Sequence, residues 1–292
     1  MPQRTNRSTT PGSGAGGVIT DFDQVTNYTK YIEDDPFRRG LHFPAVEEVL
    51  GDVNKKRILD IGCGDGLFSR LLAERGAAVV GYDRARQQIA QARARVGAPG
   101  LDATFVVATP QTFFHDGTFD AAMSVMVLNY ATSPEELAAF FRSASRHVGP
   151  GGRFISVVYN PLFSAFGEDF VVRRYTRLEN NNIRTDFLDR ASGRVEMTLE
   201  GNHQYTSEEF ERAAISGEMK PAAWKKLFAT PDAVRKIGGS FWRPCHEHQP
   251  YALFITQPAR TIIAVSLAGG HRLTSACKKF LAHKPRFDKS RR

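Results

Sequence analysis

The sequence predicts an α/β fold: a doubly wound, seven-stranded, mostly parallel sheet with an N-terminal helical cover and a lid insert. Three observations predict it. Apolar strand patterns alternate with helix patterns from about residue 57 onward. A loop with three glycines, Gly62, Gly64 and Gly66, joins one strand to one helix. An acid, Asp83, closes the next strand about 20 residues further on, the layout of a nucleoside-binding βαβ unit.

Each element follows from its residues. Asp21 to Leu50 reads as helical pieces anchored by Tyr28, Tyr31, Phe37 and Phe43. Arg57-Ile58-Leu59-Asp60-Ile61 is a short apolar run suited to a buried strand, and Leu67-Phe68-Ser69-Arg70-Leu71-Leu72 opens a helix with apolar residues at i and i+4. Ala77 to Tyr82 is the second strand, Ala85 to Val96 a helix and Ala103 to Val107 the third strand. Phe119 to Val127 forms the fourth, and Ser133-Pro134-Glu135-Glu136 then reads as a capping box with proline at the first helical position. That helix stops at Gly149-Pro150-Gly151-Gly152, before a fifth strand from Arg153 to Tyr159. A long insert, about 160–205, holds Phe163, Phe166, Phe170 and Tyr175, with a hairpin expected near Val195 to Tyr205. A second capping box at Thr206-Ser207-Glu208-Glu209 opens a helix, and strands at Trp224 to Phe228 and Tyr251 to Thr256 close the sheet. Three segments result: a disordered region over 1–20, rich in Ser, Thr, Gly, Pro and Arg, a folded domain over 21–257, and a basic extension over 258–292.

The glycines run G-x-G-x-G, with Asp60 two residues ahead of the first. An acid there repels a pyrophosphate and suits a ligand with an ammonium or sulfonium group. On the stretch Asp60-Ile61-Gly62-Cys63-Gly64-Asp65-Gly66, followed in register by Asp83, the chain resembles the class I S-adenosylmethionine-dependent methyltransferases, of the small-molecule, secondary-metabolite tailoring type. The resemblance runs from about Val46 to Gln257 and implies a Rossmann-like enzyme that binds S-adenosylmethionine and releases S-adenosylhomocysteine.

The resemblance also implies roles. The loop residues Gly62, Cys63, Gly64 and Gly66 would approach the cofactor with bare backbone, Asp60 would order its amino end, Asp83 would hold the ribose hydroxyls and Arg84 would lie over the adenine. After the third strand relatives place an acid and a backbone N–H at the adenine; here the segment is Thr109-Pro110-Gln111, and proline has no N–H to give. Val125 and Met126 match the end of the fourth strand. Asn129 and Tyr130 stand where many relatives carry two histidines facing the methyl group. Tyr28 matches the N-terminal tyrosines that close over the cofactor, with Tyr31, Tyr159, Asn160 and Phe163 around the acceptor. His203, in the expected lid, is the candidate base, with a surface histidine as the plainer reading.

Composition bounds the partners. The formal charge is +8, and nine Lys or Arg against Asp288 alone after Pro258 account for all of it. The rest of the chain is therefore neutral, which favours a small-molecule partner over nucleic acid; a homo-oligomer is compatible with the same numbers. No apolar run is long enough for a membrane span and no leader pattern opens the chain, so a cytoplasmic protein is expected. Cys63, Cys245 and Cys277 are too few for a disulfide framework. The spacing of Cys245-His246-Glu247-His248 fits no zinc pattern, so no metal is expected. The reading is methyl transfer to a small hydrophobic or aromatic metabolite through an N, O or C acceptor. The alternatives are an RNA or protein methyltransferase using the basic extension, and a cofactor-binding protein without transferase activity.

Overall fold

Alternation of strand and helix does produce the expected sheet. The computed structural model describes residues 18–19, 22, 35–96, 100–170 and 172–259. In chain order its elements begin with β1 (Val18–Ile19), a π-helical turn (Arg38–His42), α1 (Phe43–Leu50), β2 (Arg57–Ile61), α2 (Leu67–Ala73), β3 (Ala78–Asp83), α3 (Arg86–Arg95) and β4 (Ala103–Val107). There follow β5 (Phe119–Val125), α4 (Pro134–His147), β6 (Val148–Tyr159), β7 (Arg173–Arg177), β8 (Asn182–Leu188) and β9 (Val195–His203). The last are α5 (Ser207–Ser216), β10 (Ala223–Lys226), α6 (Pro231–Ile237), α7 (Gly239–His248) and β11 (Tyr251–Thr256). The expectations for Tyr28, Tyr31, the first 17 residues and the extension from 260 onward lie outside the described residues.

The main sheet has seven strands in the order β10-β11-β6-β5-β2-β3-β4. β2 pairs parallel with β3 on one side and β5 on the other, and β4 and β6 extend the sheet in parallel. β11 runs antiparallel between β6 and β10. The strand order reverses between β2 and β5, and crevices for ligands open beyond the C-terminal ends of strands at such a switch point. Ile58, Leu59 and Ile61 of β2 are fully buried, as a parallel strand covered on both faces requires. One face packs Val46, Phe68, Val157 and Trp242; the other packs Leu137, Phe141, Phe210 and Phe254.

The helix starts follow local chemistry. Thr206 and Glu209 form the full capping box: the Glu209 N–H donates to Thr206 Oγ1 at 3.2 Å, and the Thr206 N–H to Glu209 Oε2 at 2.7 Å. The first box is only half formed. Glu136 N–H reaches Ser133 Oγ at 3.2 Å, but the Glu136 carboxylate takes the N–H and hydroxyl of Thr132 instead of the Ser133 N–H. The Gly149–Gly152 corner, expected to precede the fifth strand, is a bulge inside β6, where the pairing with β5 slips between Phe119 and Ala121. β10 stops at Lys226, because Leu227 turns into the core. Pro258 pairs with Met219, and the Ala259 N–H donates to the Glu218 carbonyl at 2.8 Å, so the chain remains tied to the fold through Ala259.

The insert departs most from expectation. Val195 to His203 is one strand, β9, and its hairpin partner is β8; with β7 and β1 they make a second, four-stranded sheet in the order β1-β9-β8-β7. Buried charge hides this pattern in the sequence. Arg173 points inward, donating to Asp35 Oδ2 at 2.7 Å with both side chains nearly inaccessible, and its guanidinium lies 3.6 Å from the centre of the Phe187 ring. The clamp joins the second sheet to the segment leading into α1. Removing one partner from such a pair leaves an uncompensated charge. Arg173→Ala should therefore cost about 3–5 kcal/mol in urea unfolding, and the double variant Asp35→Asn/Arg173→Met should recover most of the loss. An unchanged midpoint in Arg173→Ala would show the clamp to be dispensable.

Candidate functional site

The loop after β2 is shaped by backbone hydrogen bonds. The N–H groups of Gly62 and Cys63 both donate to the Tyr82 carbonyl, at 2.8 and 3.0 Å, drawing the loop across to β3. Gly62 has φ +70°, and a Cβ there would lie 2.4 Å from Val127. The Gly64 N–H donates to Asp83 Oδ2 at 2.9 Å, while the Ala85 N–H takes Asp83 Oδ1 at 2.9 Å. Gly66 serves a different purpose from the one expected of it. It starts α2 at φ +77°, where a Cβ would strike Phe105 at 2.8 Å, and it does not line the cavity. It lets the helix pack closely on β4.

A cavity of about 380 Å³ opens beside this loop. It is lined by the expected cofactor residues Asp60, Gly62, Cys63, Gly64, Asp83, Arg84, Thr109, Pro110, Gln111, Val125 and Met126, and by Tyr130. Burial pushes the Asp60 carboxyl up to about 7, and the nearby Asp83 and Asp65 raise it further, against the 2.6 Å hydrogen bond donated by Ser69 Oγ. Burial likewise raises Asp83, opposed by the Ala85 and Gly64 N–H groups and by Arg84. Asp65 is ion-paired with Arg95. Thr109 pairs locally with Thr112: its N–H donates to Thr112 Oγ1 at 2.9 Å and the two hydroxyls lie 3.1 Å apart. Met126 holds φ +58°, a left-handed conformation unusual for a side chain of its size.

Sequence reasoning missed other lining residues, among them Phe22, Arg38, Phe68, Gln88, Glu136 and Phe140. Two carried a signal. Phe68 is the second residue of the helix that the glycine loop opens, and Gln88 is the one polar residue among those α3 buries, with Ile89 and Ala92. Phe22 meets Tyr130 edge to face, 5.3 Å between ring centres.

Several expected site residues lie elsewhere. Asn129, assigned a place facing the methyl group, is fully buried and does not line the cavity. Its Nδ2 donates to the His203 carbonyl at 2.9 Å and its Oδ1 accepts the Tyr159 N–H at 3.3 Å, so both ends of the amide brace the backbone. His203 packs its ring against Tyr205 at 4.4 Å; burial lowers its pKa, but it too lies off the cavity lining. Tyr159, Asn160 and Phe163 do not line the cavity either. The Tyr159 hydroxyl pairs with Thr185 Oγ1 at 2.7 Å, Asn160 Nδ2 donates to the Gln249 carbonyl at 2.9 Å, and Phe163 is core, packed on Phe166, Phe170 and Tyr175. Cys245-His246-Glu247-His248 lies on α7, where Cys245 faces the core, His246 Nε2 accepts the Ala229 N–H and His248 sits beside Glu168.

The donor set fits a nucleoside carrying positive charge. Buried acids flank a loop that is open at Gly64, where a Cβ would meet nothing nearer than Gln88 Oε1 at 4.0 Å.

Comparison with known proteins points the same way. A methyltransferase-domain family model matches residues 58–152. The ubiquinone biosynthesis O-methyltransferase of Pseudomonas aeruginosa is 32% identical over 139 residues, 45% of this chain and 58% of that protein. Its counterpart in Paramagnetospirillum magneticum is 29% identical over 134 residues, 46% of this chain and 53% of that protein. The chain thus spans little more than half the length of these curated relatives. Among solved structures, an S-adenosylmethionine-dependent methyltransferase from Mesorhizobium loti superposes with a TM-score of 0.52 at 21% identity, over 81% of this chain and 99% of that one. A sugar N-methyltransferase from Streptoalloteichus superposes with a TM-score of 0.55 at 17% identity, over 88% of this chain and 99% of that one. Residues 58–152 thus match a methyltransferase-domain model, and the seven-stranded sheet they belong to shares the fold of solved S-adenosylmethionine-dependent methyltransferases.

Proposed function

We propose that the protein transfers the methyl group of S-adenosylmethionine to a small hydrophobic or aromatic metabolite in the cytoplasm. The observation that carries this reading is a single cavity in which the acids Asp60 and Asp83 and the glycine loop meet an aromatic wall of Phe22, Phe68, Tyr130 and Phe140. The cofactor supplies an electrophilic methyl on sulfonium; the chain binds it, aligns it and keeps water away. Asp83 takes the ribose hydroxyls, Asp60 faces the positive end, and Tyr130 stands at the acceptor. The O-methyltransferase relatives support a small acceptor. With His203 and Asn129 off the cavity lining, the natural acceptor is a group that ionises easily, such as a phenol, or an amine or electron-rich carbon.

No helix among the described residues is long and apolar enough to cross a membrane. Cys63 and Cys245 are free, buried thiols, which fits a reducing compartment. The aromatic cavity favours a metabolite over RNA or protein as acceptor. Supplying labelled S-adenosylmethionine to metabolite, RNA and protein fractions tests this directly: label should enter small molecules, and label confined to a polymer fraction would overturn the reading.

Two further outcomes are expected. Asp83→Ala should weaken S-adenosylhomocysteine binding by about 2–4 kcal/mol in calorimetry, the loss of charge-assisted hydrogen bonds. An unchanged affinity would put the ribose contact elsewhere. The second concerns pH. Asp60 titrates near 7 in the folded protein and near 3.8 when exposed, so the folded state holds a proton that the unfolded chain releases between those values. Stability from this group is therefore lost as pH rises through that window. His42, whose pKa burial lowers, works in the opposite direction, so the informative quantity is the difference between wild type and Asp60→Asn. The stability advantage of Asp60→Asn should grow from pH 5 to pH 8, and parallel profiles of the two proteins would count against a protonated Asp60.

A further inference from the structure

Helix α3 starts immediately after Ala85, whose N–H is held by Asp83, and turns Gln88, Ile89 and Ala92 inward. Ile89 and Ala92 pack on Cys63 and Phe105. Gln88 has no such apolar role. It is 2% exposed, and neither its Oε1 nor its Nε2 has a hydrogen-bond partner among the described residues. It lines the cavity together with Gly64 and Asp83, and its Oε1 stands 4.0 Å from where a Gly64 Cβ would be. A buried carboxamide with both ends unpaired is costly, and a leucine or methionine would fill the same space without that cost. A polar side chain kept there is suited to a ligand.

Asp83 makes the chemistry specific. As a carboxylate it only accepts, and each of its oxygens already takes one backbone N–H. A hydroxyl that donates to Asp83 still has lone pairs on its own oxygen, and these need a donor. We propose that Gln88 is a nucleoside-recognition residue, its Nε2 donating to the oxygen of a ribose hydroxyl that itself donates a hydrogen bond to Asp83. This rests on the S-adenosylmethionine reading above. Gln88 and Asp83 together then recognise a vicinal diol from both sides, one as donor and the other as acceptor. A 2′-deoxyribose satisfies that arrangement poorly.

The experiment is calorimetric titration with S-adenosylhomocysteine and its 2′-deoxy analogue, run on wild type, Gln88→Leu and Gln88→Met, with melting temperatures of the ligand-free proteins. Gln88→Leu should melt at or above the wild-type temperature, because it removes an unpaired buried amide. It should bind S-adenosylhomocysteine roughly 5- to 30-fold more weakly, the loss of about one hydrogen bond. Its preference for the ribo over the 2′-deoxy ligand should shrink relative to wild type. Gln88→Met should behave alike. Unchanged affinity in stable variants would overturn the proposal alone, leaving Gln88 merely buried. Equal weakening for both ligands would overturn the ribose assignment. Loss of folding in both variants would overturn it as well, by making the amide structural. If wild type binds neither ligand, the S-adenosylmethionine reading itself fails.

Discussion

The cofactor end of the site depends on one carboxylate. Asp83 draws Gly64 from the first loop and Ala85 from the start of α3 onto its two oxygens, so one side chain sets the path of both segments. The loop is shaped before any ligand arrives, and binding need not spend free energy ordering it. The arrangement is also compatible with the ribose contact proposed for Asp83. Burial raises its pKa, and two backbone N–H groups and Arg84 act in the opposite direction, favouring the charged form. Each oxygen keeps a lone pair for a ligand hydroxyl.

The acceptor side is organised differently, by polar side chains that act as brackets between the two sheets. Asn129 spans from β6 to the end of β9, Tyr159 reaches Thr185 on β8, and Tyr175 of β7 meets Tyr251 of β11 hydroxyl to hydroxyl at 2.5 Å. Arg173 and Asp35 add the buried ion pair. These groups resemble catalytic side chains in type and location along the chain, yet their hydrogen bonds are made within the protein, to backbone at Asn129 and to other side chains at Tyr159, Tyr175 and Arg173. Their contribution to the site is positional, since Tyr130 lies between Asn129 and the Tyr205 hydroxyl's partner, Ala131.

What could be read in advance was local, and what could not was long-range. The glycine loop, its flanking strands and Asp83 sit within about 25 residues, where turn geometry and hydrophobic period translate directly into structure. Hence β2, β4 and β11 appear where their residues placed them. The second sheet escaped because its strands mix buried and exposed polar residues. Arg173, Thr185 and Asp186 are inside, satisfied by Asp35, Tyr159 and Thr198, so apolar and polar residues do not alternate along β7 and β8. α6 and α7 escaped for another reason: Pro244 lies inside α7 and Gly238 separates the two helices, which reads as loop chemistry in one dimension. Asn129 and His203 lie off the cavity lining: strand ends reveal which residues are near a site, but not which way they face.

Physical costs also converge on the cavity. Asp60 keeps a carboxyl buried in the middle of the sheet with Ser69 as its hydrogen-bond donor, Met126 holds a left-handed backbone, and Gln88 leaves an amide unpaired. Unpaired buried groups exist elsewhere, at His42, His115, Ser124, Ser156, Asn202, Trp224 and Gln249, the last also with a left-handed backbone. At this cavity a perturbed acid, a left-handed residue and an orphaned amide line one space. Each works against the stability of the fold, and the first and third are relieved by the same kind of partner. A ligand with a cationic end restores charge to Asp60, and one with a hydroxyl pairs with Gln88. A cavity lined by such groups is suited to a polar, positively charged ligand.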